Sequence, residues 1–177
     1  MAPARRSGRG GRPRDGGSAP TIDVDVNDRQ RILRIGRASL ERLVRRVLAC
    51  EGIEAAEIGI LLVDDRRIAA MHGRWLGDGT PTDVITFDLS DADVRSGGLL
   101  RGDIVASTET ARRVARDFGW TPRQEVAYYV VHGLLHLTGY DDRTPGRRRA
   151  MRARERSVMK AVGLPPPPRA RRRRMSR

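Results

Sequence analysis

The hydrophobic pattern of this chain predicts a single mixed α/β domain of the α+β kind, with about four strands in one mixed sheet and a metal site on a central helix. Three observations carry that expectation. Short alternating or apolar runs are interspersed with longer runs of helical period, and no single conformation satisfies both spacings. With 177 residues, the chain is long enough for one domain with a substantial core, and a second is not expected. Finally, His132 and His136 stand four residues apart in a strongly apolar stretch that ends at Gly139.

Taken in order, Ile22-Asp-Val24-Asp-Val26 alternates apolar and acidic residues and reads as a strand with one buried face. From Arg31 to Ala49, Ile32, Leu33, Ile35, Leu40, Leu43, Val44, Val47 and Leu48 recur at helical spacing between arginines, which predicts an amphipathic helix. Ala56 to Val63 is short, apolar and partly β-branched, as a central strand is. Asp64 and Asp65 supply a helix start, and Ile68, Ala69, Met71 and Trp75 fit a short helix ending near the Gly77-Asp78-Gly79-Thr80-Pro81 loop. Asp83 to Leu89 and Gly102 to Ser107 read as two more strands, joined by a polar glycine-rich connection. Thr108 to Phe118 forms a helix closed by Gly119. Thr121 suits an N-cap, Pro122 a first turn, and Gln124 and Glu125 the supporting hydrogen bonds of the next helix. That helix runs through Tyr128, Val130, Val131, Leu134 and Leu135, and its apolar surroundings place it centrally. Pro145 opens the last helix, with an arginine face (Arg147, Arg148, Arg149, Arg152, Arg156) and Met151, Val158, Met159 and Val162 turned inward.

Charge is distributed unevenly. The formal net charge is +13, but residues 1–21 hold five arginines against one aspartate, residues 165–177 hold six arginines, and residues 22–164 hold 24 basic and 21 acidic groups. Residues 1–21, rich in Gly, Pro and Arg with no apolar period, read as a disordered basic tail. Residues 165–177, opened by Pro165 to Pro168, read as a second, extended one. Arginine arms suit a polyanion such as RNA, since each phosphate contact releases counterions without reading sequence, though the same composition also serves as a solubilising tail. No apolar run approaches the roughly 20 residues of a membrane span, and no signal-peptide core is visible, so a cytoplasmic, membrane-free protein is expected. Cys50 is the only cysteine; it excludes an intrachain disulfide and a cysteine-rich zinc cluster and is expected to pack at a helix end.

On a helix, the side chains of His132 and His136 share one face and can point at one ion. Gly139 allows a left-handed turn, after which the chain returns with Tyr140, Asp141 and Asp142. Asp142 sits where a returning chain offers a carboxylate, and Asp141 is the competing third ligand. Two histidines and a carboxylate leave a zinc-type ion with an open position, as in hydrolytic sites. The alternative is a pair of helix histidines with no ion between them. His72 remains ambiguous, a surface histidine or a fourth ligand.

His132-Gly-Leu-Leu-His136-Leu-Thr-Gly139-Tyr-Asp resembles the signature of the YbeY-type endoribonucleases, the ribosomal RNA maturation factors. Pro81-Thr-Asp-Val-Ile-Thr-Phe87 and Gly102-Asp-Ile-Val-Ala-Ser107 resemble two further blocks of that family, in the same order and spacing, and the similarity covers residues 22–164. The resemblance implies a single α/β domain holding one zinc-type ion. It further implies a metal-dependent, single-strand-specific endoribonuclease of ribosomal RNA maturation and ribosome quality control, whose partners are single-stranded ribosomal RNA and the ribosome or its small subunit.

The sequence departs from the family at two positions. Where the family usually has a third histidine stands Asp142, which lowers the net charge of the ion and its ligands by one and makes a bound water less acidic. Where the family has an arginine after an aromatic residue, Trp75 is followed by Leu76. Arg74 is then the candidate catalytic cation, with Arg101 as another; both also read as ordinary surface arginines. Tyr128, Tyr129 and Trp75 are available for base stacking, with core packing the default for all three. A zinc peptidase is disfavoured because Gly133 occupies the place of the general-base glutamate in H-E-x-x-H. A non-catalytic ribosome-assembly or RNA-binding factor with a structural metal is the other alternative. The sequence leaves the oligomeric state open.

Overall fold

Val24, Val26, Ala56, Ile58, Ile60 and Leu62 alternate with Asp23, Asp25, Glu57 and Gly59 along two neighbouring strands, so the first set is buried on one face of a sheet and the acids project from the other. The structure is a computed structural model and describes residues 21–76, 82–91 and 98–167. In chain order its elements are β1 (Ile22–Asp28), α1 (Arg37–Cys50), β2 (Ala56–Val63), α2 (Asp65–Leu76), β3 (Val84–Asp88), β4 (Leu100–Ser107), α3 (Thr108–Phe118), α4 (Pro122–Leu137) and α5 (Pro145–Ala161). The four strands form one sheet in the order β1-β2-β4-β3, in which β1, β2 and β4 are parallel and β3 runs antiparallel to β4. The mixed α/β domain read from the sequence is therefore the observed fold.

The sheet is covered unequally. On the face that carries Ile58, Ile60, Leu62, Leu100 and Ile104 lie α1 and α4, with α5 stacked on the outside of α4. The opposite face is covered in part by α2, whose Ile68 joins Val63, Ile85 and Val105 in a small second cluster. Helix α4 is thus enclosed, and Val126, Tyr129, Val130, Val131, Leu134 and Leu135 are buried around its circumference, as expected of a helix without a polar stripe. Two glycines let it approach the sheet. A Cβ on Gly133 would come within 2.9 Å of Thr86 Oγ1 and 3.0 Å of Ile104, and one on Gly102 would meet Leu137 at 2.6 Å and the Phe87 carbonyl oxygen at 2.9 Å.

Three expectations need correction. Helix α1 begins at Arg37 rather than near Arg31, because Gln30 organises the preceding loop: its Oε1 accepts from the backbone N–H groups of Ile32 and Leu33, and its Nε2 donates to the Leu33 carbonyl. Ile32 and Leu33 supplied the misleading helical period from within that turn, and Ile32 is exposed. Strand β4 starts at Leu100, two residues before Gly102. Trp75 is 63% exposed rather than packed in the core. The two basic tails, apart from Thr21 and Pro165 to Pro167, the loop at 77–81 and the side chain of Leu76 lie outside the described residues.

Candidate metal centre

The site is built at the C-terminal end of α4. At the other end, Thr121 and Gln124 form a reciprocal capping box and Pro122 occupies the first turn, which fixes where the helix begins. The helix stops at Leu137. Gly139 takes a left-handed conformation, φ +93°, its N–H donates to the His136 carbonyl, and the Tyr140 N–H donates to the Leu135 carbonyl. That turn sends the chain back past the last helical turn and carries Asp142 to the histidines.

His132 Nε2 and His136 Nε2 face each other at 3.1 Å. Each ring's other nitrogen is already committed: His132 Nδ1 lies 2.7 Å from Glu155 Oε1, and His136 Nδ1 lies 3.1 Å from the Tyr140 carbonyl oxygen. The Tyr140 carbonyl oxygen can only accept, and a carboxylate at Glu155 does the same; with those partners each Nδ1 carries a proton, and in neutral rings the lone pairs are on the two Nε2 atoms. Two lone pairs at that separation repel unless a cation or a proton lies between them. One ligand atom from each of His132, His136 and Asp142 lies within 4.8 Å of the others. The donor set therefore fits a divalent cation of the zinc type, which takes nitrogen and oxygen ligands. Burial, reinforced by the neighbouring His132, lowers the pKa of His136 and favours the neutral imidazole that a metal needs.

The two aspartates are sorted by their surroundings. Asp141 Oδ2 accepts from Arg147 at 2.8 Å, and its Oδ1 accepts from the Arg143 backbone N–H at 2.9 Å and from Arg143 Nε at 3.1 Å. Those bonds hold its carboxyl well below the usual carboxylate range. Asp142 is anchored through its backbone, whose carbonyl accepts from Arg148 Nε at 3.0 Å, leaving its side chain turned to the histidines. The structure thus brings together His132, His136 and Asp142 and leaves Asp141 to the arginines of α5. His72 lies on α2, outside this group.

Neither proposed catalytic cation is beside the histidines. Arg74 closes α2 on the sheet face opposite α4, its guanidinium 5.6 Å from the centre of the Trp75 ring. Arg101 projects from that same face and pairs with Glu57 and Asp91. Among the described residues, Arg143, Arg147 and Arg148 bond to Asp141 and Asp142, gathered there by the return of the chain into α5.

Sequence reasoning missed Glu155. It is 2% exposed and accepts from both the Tyr128 hydroxyl, at 3.0 Å, and His132 Nδ1, at 2.7 Å. The arginines of α5 drew attention to its exposed face, yet Glu155 lies four residues after Met151 and three before Val158, on the apolar stripe. A carboxylate on that stripe was the available signal.

Fold and site together define a class: a single α/β domain that presents two histidines and a returning carboxylate at the end of an enclosed helix. The family model described as Endoribonuclease YbeY matches residues 25–163, and the chain belongs to that family. Relatives named Endoribonuclease YbeY include one from an Anaeromyxobacter species, 43% identical over 73% of this chain and 68% of its own length. Another, from Pelotomaculum thermopropionicum, is 37% identical over 71% of this chain and 85% of its own length. The one from Moorella thermoacetica is 34% identical over 81% of this chain and 99% of its own length. A solution structure of a Thermotoga maritima protein shares the fold with a TM-score of 0.52 at 24% identity, covering 81% of this chain and 90% of that one.

Proposed function

We propose that this chain is a metal-dependent endoribonuclease that cuts single-stranded ribosomal RNA during maturation and quality control of the small ribosomal subunit in the cytoplasm. One observation carries the reading: two imidazoles with both Nδ1 protons committed turn their Nε2 lone pairs toward each other beside a free carboxylate. His132, His136 and Asp142 are the residues that would hold a zinc ion, a choice supported by the bonds that tie Asp141 to Arg143 and Arg147. Such an ion supplies Lewis-acid activation of water or of a phosphate oxygen.

The chain's own residues do the rest. Glu155 and the Tyr140 carbonyl fix the orientation and tautomer of the two rings, so that the ligand atoms are set in advance. Arg143, Arg147 and Arg148 surround the carboxylate end of the site and offer positive charge to a phosphodiester backbone. Among the described residues, no helix is long and apolar enough to cross a membrane. Peptide hydrolysis is opposed by packing as well as by sequence. At Gly133 a Cβ would lie 2.9 Å from Thr86 Oγ1 and 3.0 Å from Ile104, so a general-base glutamate there would force both side chains to shift.

The test is the metal content of the purified protein and of Asp142→Ala, each then assayed on single-stranded RNA with and without chelator. Near-stoichiometric zinc and chelator-sensitive cleavage, both lost in Asp142→Ala, are expected. Metal binding without cleavage would replace the enzyme by a non-catalytic assembly factor, and a metal-free protein that also fails to take up added zinc would remove the premise.

A further inference from the structure

Trp75 is the most exposed of the large apolar side chains among the described residues, at 63%. Leaving an indole in water forfeits the burial that normally accounts for tryptophan, and it leaves ring surface open to an occupant. The ring is nevertheless held in place. Phe87 meets it in a T-shaped contact with centroids 6.2 Å apart, and the Arg74 guanidinium lies 5.6 Å from its centre. The other aromatic side chains near α4 are engaged elsewhere: Tyr129 is buried, and Tyr128 packs against Trp120 and donates to Glu155.

The position of Trp75 relative to the histidines is set by β3. That strand ends the sheet, with β4 on one side and no strand on the other among the described residues. Phe87 projects from it toward α2 and Trp75, while Thr86, one residue earlier, projects to the opposite face and meets Gly133, the residue after His132. The indole and the histidine pair therefore flank one free strand edge from opposite faces. The guanidinium lies over the indole ring, and an exposed aromatic ring joined to a cation in this way is what unpaired bases and their phosphates bind, the base taking ring surface that the cation leaves open. Bases inside a duplex are already stacked and offer no free face.

We infer that Trp75 is a stacking platform for an unpaired RNA base, with Arg74 at the adjoining phosphate, and that the bound strand crosses the free edge of β3 to reach the His132–His136–Asp142 group. This rests on the ribonuclease reading and adds to it a residue that selects single strands.

The experiment uses the full chain, a fluorescein-labelled oligouridylate and an RNA duplex of equal length, with chelator present so that nothing is cut. Trp75→Ala should weaken oligouridylate binding about ten-fold or more and leave duplex binding unchanged, while Trp75→Phe keeps most of the affinity. In Trp120→Phe, where Trp75 is the remaining indole, oligouridylate should quench the fluorescence and the duplex should not. In the metal-loaded protein, cleavage by Trp75→Ala should show a raised KM with kcat largely retained. Equal binding by wild type and Trp75→Ala, or equal losses on both RNAs, would overturn the inference while cleavage by the wild type still upheld the ribonuclease. Wild-type protein that neither binds nor cuts single strands would overturn both, and an indole shielded only by a protein partner would show as unquenched fluorescence with every RNA.

Discussion

Glu155 shows how much of a site can depend on one buried side chain that contacts no substrate. Removing its carboxylate leaves His132 Nδ1 and the Tyr128 hydroxyl without their shared acceptor and frees the ring to turn. Glu155→Ala should therefore lower zinc affinity by about 10- to 100-fold, measured by competition with a chelating dye. Glu155→Gln, whose amide oxygen can still accept one of the two bonds, should lose less. Unchanged zinc affinity in both variants would reduce Glu155 to a packing residue. Of the residues around the centre, His132, His136 and an aspartate after Gly139 were legible in the sequence because helix and turn spacing alone bring them together. Glu155 was not, because its partner lies 23 positions away on another helix. The choice of Asp142 over Asp141 also needed coordinates, since it turns on which carboxylate Arg143 and Arg147 capture.

At the level of elements, the order of strands and helices was readable almost throughout, and the errors fell where side chains redirect the backbone. Gln30 holds residues 32 and 33 in a loop that apolar spacing alone makes look helical. Helix α5 matters most to the site, because it delivers Glu155 from its middle and Arg147 and Arg148 from its first turn. Its start is capped by Thr144, whose hydroxyl accepts from the Arg147 backbone N–H at 3.3 Å. Thr144→Ala should cost about 1 kcal/mol of stability and Thr144→Ser almost nothing, as read from urea denaturation. An alanine variant as stable as wild type would show that the proline and packing fix the helix start without the cap.

Across the whole molecule, stability and charge are arranged on different parts of the fold. The apolar face of the sheet with α1, α4 and α5 forms the core, but it encloses Glu125, which is 3% exposed. Burial pushes its carboxyl up to about 7, with Asp83 adding to the rise and the Tyr129 hydroxyl opposing it. The Tyr129 hydroxyl faces the carboxyl without reaching hydrogen-bond geometry, and Glu125 Oε2 has no partner either, so the charged form is only weakly compensated. The folded state then holds this proton more tightly than the unfolded chain does. Its contribution to stability is fully present below about pH 4.5 and falls as pH rises to about 7, with no further loss above that. Glu125→Gln should flatten this dependence, and near pH 8 it should stabilise the protein by roughly 1–3 kcal/mol. Urea denaturation at mildly acidic and mildly alkaline pH measures it, and an unaltered slope in the variant would reject the assignment.

The sequence by itself determined the α/β class, the central helix and the pairing of His132 and His136 with a returning aspartate, because these follow from local periodicity, capping and the conformational freedom of Gly139. Tertiary structure decided what depends on neighbours remote in the chain. It placed Arg74 and Arg101 across the sheet from the histidines, buried Glu155 behind His132 and left Trp75 in solvent. The physical reason is that residue spacing fixes which side of an element a side chain occupies, whereas only packing fixes what that side meets.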